Sequence, residues 1–224
     1  MGNLRRLIAF DLDGTLVDSR KDLSDAANDL IVELGGAAQT EEAIGLMLGE
    51  GAALLVRRAL AAAGLGDAPG ALKRFLEIYD TRLLNHTRPY EGIPEAVEAA
   101  RELGRLVVLT NKGRQPSETI LEGLGLRHLF EEVIGGDGPL PRKPDPASLI
   151  ALMDRAGTAP EQTLLIGDSP VDHETAQRAG VRCCIATYGF GYAKFSSDRL
   201  TGTEWIVDHA SGIPEVLTAF CKSG

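Results

Sequence analysis

A chain of 224 residues, 44% apolar and 25% charged, is long enough to bury a sizeable core and too hydrophobic to stay disordered. Its formal charge of -9, from 32 acidic against 23 basic side chains, works against nucleic acid and anionic membranes as partners, because both need a basic face. No apolar run nears the roughly 18 residues of a membrane span, and "MGNLRRLIAF" lacks a signal-peptide core, so a cytoplasmic home is expected.

The first predicted element is the apolar run Leu7 to Phe10, a short strand of the kind buried on both faces of a parallel sheet. It runs straight into "DLDGT". Asp11 and Asp13 crowd two carboxylates at the end of a buried strand, where repulsion favours protonating one of them unless positive charge is supplied. Gly14 permits a tight turn after them.

Residues 20 to about 87 carry helical periodicity and almost no strand signal. In "KDLSDAANDLIVELGG" the apolar residues Leu23, Ala26, Ala27, Leu30, Ile31 and Leu34 recur at three- and four-residue steps before Gly35 and Gly36 stop the pattern. "AALLVRRALAAAG" and "PGALKRFLEIYDTRLLNH" behave alike. The segment reads as a helical insertion.

Beyond it, helices at 93–103, 114–124, 145–156, 172–179 and 213–221 alternate with the short runs "RLVVLT", "EVIGG", "TLLIGD", "RCCIATY" and "EWIVDH". Such alternation predicts parallel strands with helical crossovers, hence an α/β fold: a Rossmann-like parallel sheet with helices on both faces, plus a small all-helical cap inserted after the first strand. The expected division is a core of residues 1–16 and 88–224 and a cap of residues 17–87. Cys183, Cys184 and Cys221 form no CxxC pair, so zinc and structural disulfides are not expected, and the thiols read as core filler.

Ligands of open parallel sheets bind beyond the carboxyl ends of the strands. Those ends here carry Asp11 and Asp13; then Thr110 and Asn111 after "VVL"; then Asp168, with Asp172 four residues on. The Pro- and Gly-rich loop "GGDGPLPRKPDP" adds Arg142 and Lys143. Singly, each has a bland explanation: a turn, a helix cap, a solvated lysine. Together, the carboxylates form a set of hard oxygen ligands of the type Mg²⁺ prefers.

On "DLDGT", "LTN", "RKPDP" and "GDSPVD" the chain resembles the haloacid dehalogenase superfamily of phosphatases over essentially its whole length. The resemblance implies that Asp11 attacks phosphorus to give an aspartyl-phosphate, while Asp13 protonates the leaving alcohol and later activates water. It implies Mg²⁺ as cofactor, held by Asp11, the carbonyl of Asp13 and Asp168, with Asp172 ordering the metal shell. Thr110 and Asn111 are expected to hold the phosphoryl group and Lys143 to neutralise it and steady Asp11, while Gly14 and Thr15 are structural.

Within the superfamily the chain most resembles phosphoglycolate phosphatases, through "LGEGAALLVRRAL", "TRPYEGIPEAVEAARELG", "TNK", "GGDGPLPRKPDP" and "GFGY". It departs from them at Gly113, where proline is common. The substrate expected is a small phosphorylated metabolite, 2-phosphoglycolate, handled by a monomer or homodimer. In the cap, Gly49 and Gly51 are candidates for close approach to substrate and Arg57 for its carboxylate.

Sugar-phosphate phosphatases, pyrophosphatases and phosphomutases share the four motifs. A dehalogenase has no use for Asp13 as acid or for the metal carboxylates, and a phosphonatase works through a cap lysine. A phospho-acceptor signalling module, the non-enzyme alternative, has no use for a base at Asp13 that hydrolyses the phosphoryl group.

Overall fold

The computed structural model describes residues 6–196 and 199–222. Its main sheet has six parallel strands in the order β5-β4-β1-β6-β7-β8, from β1 (Leu7–Phe10), β4 (Arg105–Leu109), β5 (Glu132–Ile134), β6 (Thr163–Gly167), β7 (Arg182–Ala186) and β8 (Trp205–Val207). The expected α/β fold and its strands are present. β1 lies centrally, with Phe10 in register with Val108 of β4 and Ile166 of β6.

Alternate residues of these strands enter two separate apolar layers, as the two-residue period of a strand requires. Ile8, Phe10, Val108, Ile166 and Cys184 face one layer, with α5 (Ile93–Arg101), α6 (Arg114–Gly123) and α9 (Ile213–Lys222). Leu7, Ala9, Val107, Leu165 and Cys183 face the other, with α7 (Ala147–Ala156) and α8 (Pro170–Ala179). This two-sided burial explains why the strands read as continuous apolar runs. Cys183 and Cys184 point to opposite layers; burial lifts the first thiol well above its usual value and the second to about 12, so both are inert packing.

Helix boundaries depart from expectation where proline and capping decide. α7 starts at Ala147, two residues late, because Pro144 and Pro146 disfavour helical backbone in the residues before them. α8 starts at Pro170, two residues early, because the Ser169 side chain accepts from the Asp172 N–H while the Asp172 carboxylate reaches back to Ser169.

After β1 the chain forms β2 (Val17–Asp18), then α1 (Arg20–Glu33), α2 (Glu41–Gly45), α3 (Ala52–Ala62) and α4 (Ala71–Asp80), and returns through β3 (Arg88–Pro89). β2 and β3 pair antiparallel, Val17 with Pro89 and Asp18 with Arg88. The sequence did not announce this ribbon, since two residues carry no periodicity. Inside it, α1 packs on α2, α3 and α4 through Leu23, Leu30, Leu55 and Phe75. The buried Asp22 carboxylate receives the backbone N–H groups of His86 and Thr87 and the Thr87 hydroxyl, joining the segment's entry to its exit. Among the described residues no helix is long and apolar enough to cross a membrane.

Candidate active site

β1 delivers Asp11 at its carboxyl end, where the Asp11 N–H still bonds Ile166 O at 2.9 Å and so belongs to the ladder of β6. The chain then turns sharply: Leu12 O accepts from the N–H groups of Thr15, Leu16 and Val17, and Gly14 takes φ +94°. A side chain at Gly14 is doubly forbidden, because its Cβ would also lie 2.0 Å from Asp168 Oδ2. Thr15 Oγ1 faces Asp168 Oδ1 at 3.4 Å.

β6 presents Asp168 beside β1, and the cap of α8 fixes Asp172. One Asp172 oxygen accepts from the Ser169 N–H (3.1 Å) and hydroxyl (2.6 Å); the other receives Lys143 Nζ at 2.5 Å. Asp172 therefore caps a helix and pairs with Lys143 at once. The loop after β7 closes over Asp168: the Gly191 N–H donates to Asp168 Oδ2 at 2.7 Å, and a Cβ on Gly189 would lie 2.1 Å from Gly14 O. This close approach accounts for the glycines of "GFGY".

Carboxylate oxygens of Asp11, Asp168 and Asp172, all buried, lie within 4.8 Å of one another. Burial and the repulsion of Asp172 push Asp11 up to about 7 against the pull of Lys143, and burial with its two acidic neighbours raises Asp168 well above the carboxylate range. Lys143 Nζ lies 2.9 Å from Asp11 Oδ1 and forms a buried ion pair with it. Counting Asp13, four carboxylates face two ammonium groups, Lys143 and Lys112. The deficit of positive charge and the all-oxygen donor set fit a hard divalent cation such as Mg²⁺.

Asp13 is held differently. Ser19 Oγ donates to it at 2.5 Å, and Lys112 Nζ bonds both its oxygens at 3.1 Å. Lys112 also donates to the Tyr79 hydroxyl of α4 at 2.7 Å. Burial opposes the charge on Lys112, but Asp13 and Tyr79 outweigh it and hold the ammonium above the ordinary lysine range. The two aspartates of "DLDGT" thus sit in two environments, one aimed at the carboxylate cluster and one at Lys112.

A cavity of about 320 Å³ opens over these groups. Its floor holds Asp11, Asp13, Thr110 and Asn111; its roof, from the helical insertion, is apolar through Leu48, Leu55, Phe75 and Leu76. Gly49 and Gly51 both line it, at φ +95° and +92°. The Asn111 side-chain amide donates to Gly49 O at 3.2 Å and Lys143 O at 3.0 Å, so both side-chain N–H groups fasten loops at the edge of the cavity. Arg57 is a correction. It points outward from α3, exposed and away from the cavity, because Leu55, Val56, Ala59 and Leu60 occupy the buried face. Lys112, the last residue of "TNK", was given no role in the sequence because one lysine after a strand does not show which group it faces; its place directly after Thr110 and Asn111 was the available signal.

The family model for haloacid dehalogenase-like hydrolases matches residues 8–186, which include every residue of the floor and the roof. The chain belongs to this family. It is similar to the phosphoglycolate phosphatase of Rhodospirillum rubrum, 44% identical over 194 residues that cover 83% of this chain and 80% of that one. It is 38% identical to the phosphoglycolate phosphatase of Pseudomonas putida over 86% of this chain and 73% of that one. Among solved structures, one described as a predicted phosphoglycolate phosphatase from Haemophilus somnus superposes with a TM-score of 0.88 at 31% identity, covering 96% of this chain and 99% of that one. For a member of the haloacid dehalogenase-like hydrolases, paired carboxylates and a lysine beneath a small open cavity are a site for hydrolytic chemistry on a small molecule.

Proposed function

We propose that this hydrolase is a Mg²⁺-dependent phosphatase that converts 2-phosphoglycolate to glycolate and phosphate through an aspartyl-phosphate on Asp11. The observation that carries the reading is the convergence of Asp11 with Lys143, Asp168 and Asp172 at one end of the sheet, with Asp13 set apart on Lys112. The names of the relatives support the choice of ester.

The ionised Asp11 attacks phosphorus, and the bond to the ester oxygen breaks. Asp13 gives its proton to that oxygen, releasing glycolate, then takes a proton from the water that cleaves the acyl phosphate. Lys143 keeps Asp11 in place and balances charge on the transferring group, and the Thr110 hydroxyl contributes a hydrogen bond. Asp11, the Asp13 carbonyl and Asp168 would hold Mg²⁺, with Asp172 behind them. When bound, the cation supplies positive charge that keeps Asp11 ionised and offsets charge on the phosphoryl oxygens.

Residues 17–87 act in this reading as a cap that excludes water from the cavity, hinged at the β2–β3 ribbon. A phosphate-release panel over 2-phosphoglycolate, sugar phosphates, nucleotides and pyrophosphate, with and without Mg²⁺, tests the proposal. The expected result is highest kcat/KM on 2-phosphoglycolate, abolished in Asp11→Asn and reduced about 10²- to 10⁴-fold in Asp13→Asn. Undiminished turnover in Asp11→Asn sinks the mechanism; preference for another ester sinks the substrate.

A further inference from the structure

We propose that Lys112, together with the Tyr79 hydroxyl, is the subsite that binds the carboxylate of the substrate; the inference rests on the phosphatase reading and names the group that selects the ester. Lys112 belongs to none of the four catalytic motifs, yet its side chain is only 7% exposed and faces the cavity. Burying an ammonium in a cleft is costly unless anions meet it there. In the resting protein Asp13 meets it, and Tyr79 bonds it through its hydroxyl with the ring 4.5 Å from Nζ.

The position matches the geometry of the proposed ester. Asp13 is the group that faces the leaving oxygen, and Lys112 bonds both Asp13 oxygens, so its Nζ lies about two hydrogen-bond lengths from that oxygen. In 2-phosphoglycolate one methylene separates the ester oxygen from the carboxylate, whose oxygens fall about 3 Å from it by ordinary bond lengths. A carboxylate carried on that methylene therefore reaches Lys112 without displacing the phosphorus from Asp11. Tyr79 Oη accepts from Lys112, which leaves its own O–H to donate to the second carboxylate oxygen.

The other cations are placed for other work. Lys143 is held between Asp11 and Asp172. Arg142, the remaining cation lining the cavity among the described residues, is exposed at its mouth, with Nε on Gly136 O at 2.5 Å. Because Tyr79 comes from α4 and Lys112 from the β4 end, the subsite is complete only when the helical insertion is seated on the sheet, which couples recognition of the carboxylate to closure of the site.

The test compares 2-phosphoglycolate with ethyl phosphate, which keeps the two-carbon leaving group and lacks the carboxylate, in the wild type, Lys112→Met, Lys112→Arg and Tyr79→Phe. Lys112→Met is expected to lower kcat/KM for 2-phosphoglycolate about 10²-fold more than for ethyl phosphate, the excess chiefly in KM, while the loss common to both esters reads its contact with Asp13. Lys112→Arg recovers part of the difference, and Tyr79→Phe shows a weaker version of it. Equal losses on both esters overturn the proposal and leave Lys112 as a positioning residue for Asp13. Calorimetric binding of the two esters to Asp11→Asn, with and without Lys112→Met, reads the same ratio without turnover; no carboxylate preference there, or one that Lys112→Met leaves intact, also overturns it. A wild type that prefers some other ester in the panel refutes the substrate assignment, while the Lys112 ratio is still read from this pair.

Discussion

The Asp22 carboxylate accepts from both the backbone N–H and the hydroxyl of Thr87, at 2.8 and 2.7 Å, across 65 residues of chain. One oxygen atom thereby pins the first turn of α1 to the strand that leads back to the sheet. With the His86 N–H on the same carboxylate, replacing Asp22 strands several buried donors at once. Asp22→Ala is expected to destabilise by on the order of 3 kcal/mol, whereas Thr87→Val, which removes one hydroxyl, costs about 1 kcal/mol. Urea unfolding of both variants and the double variant checks this; a double-variant loss equal to the sum of the single losses would show that the two side chains are not coupled.

The acidic cluster predicts an unusual response to metal. Without a cation, Asp168 is a buried carboxylate repelled by Asp11 and Asp172, so neutralising it relieves strain in the apo protein. Asp168→Asn should leave the apo melting temperature unchanged or higher, while removing the stabilisation that Mg²⁺ confers on the wild type, about 2.7 kcal/mol at a hundredfold excess over Kd. Thermal melts in chelator and in Mg²⁺ measure both effects. A Mg²⁺ shift that survives in Asp168→Asn places the cation elsewhere.

Acid titration should expose a second buried pair. The Glu204 carboxylate, 5% exposed, lies 2.6 Å from His173 Nε2. Burial alone would raise its pKa, but hydrogen bonds from His173 and Thr201 override burial and bring it from 4.5 to about 2. A depressed carboxyl contributes stability above its unfolded value and loses it as pH falls toward its folded value. The stability difference between wild type and Glu204→Gln is therefore expected to be full at pH 6 to 7 and to shrink below about pH 4.5. A difference that stays flat from pH 6 to pH 3.5 contradicts this origin.

Gly113, the departure from the phosphoglycolate phosphatase pattern, has φ -58° and ψ 147°, close to the dihedral that proline fixes. Its carbonyl caps the next helix, accepting from Ser117 N at 3.2 Å and Ser117 Oγ at 2.7 Å. Gly113→Pro should stabilise by about 0.4–1 kcal/mol by restricting the unfolded chain. The added Cβ meets Asp137 Oδ2 at 3.3 Å, so that side chain must yield by a few tenths of an ångström. A lowered denaturation midpoint means that it cannot.

The sheet and its acidic ends were legible because two-sided burial demands apolar strands, and a charge such as Asp11 or Asp168 then stands out at the boundary. α8 was misplaced by two residues because its cap, Ser169, precedes a proline that reads as a breaker but serves as the first helical residue. Lys112 and Tyr79 escaped for a different reason. Their partnership spans 33 residues and two elements, and nothing local in a lysine or a tyrosine reports which cleft it faces. Arg57 was the converse: its charge suggested a ligand, but only the buried face of α3 reveals that it turns to solvent.

β1 stands between β4 and β6, so the residue that opens the sheet receives its neighbours from opposite directions of the later chain. Asp168 is added 157 residues after Asp11. At roughly 5–20 residues per second, a nascent chain carries Asp11 for about 8–30 s before the second carboxylate of the cluster exists. For that interval it holds an acidic strand end without β6 to close the cluster, and ribosome-bound or prematurely terminated chains that stop before β6 lack both Asp168 and Asp172.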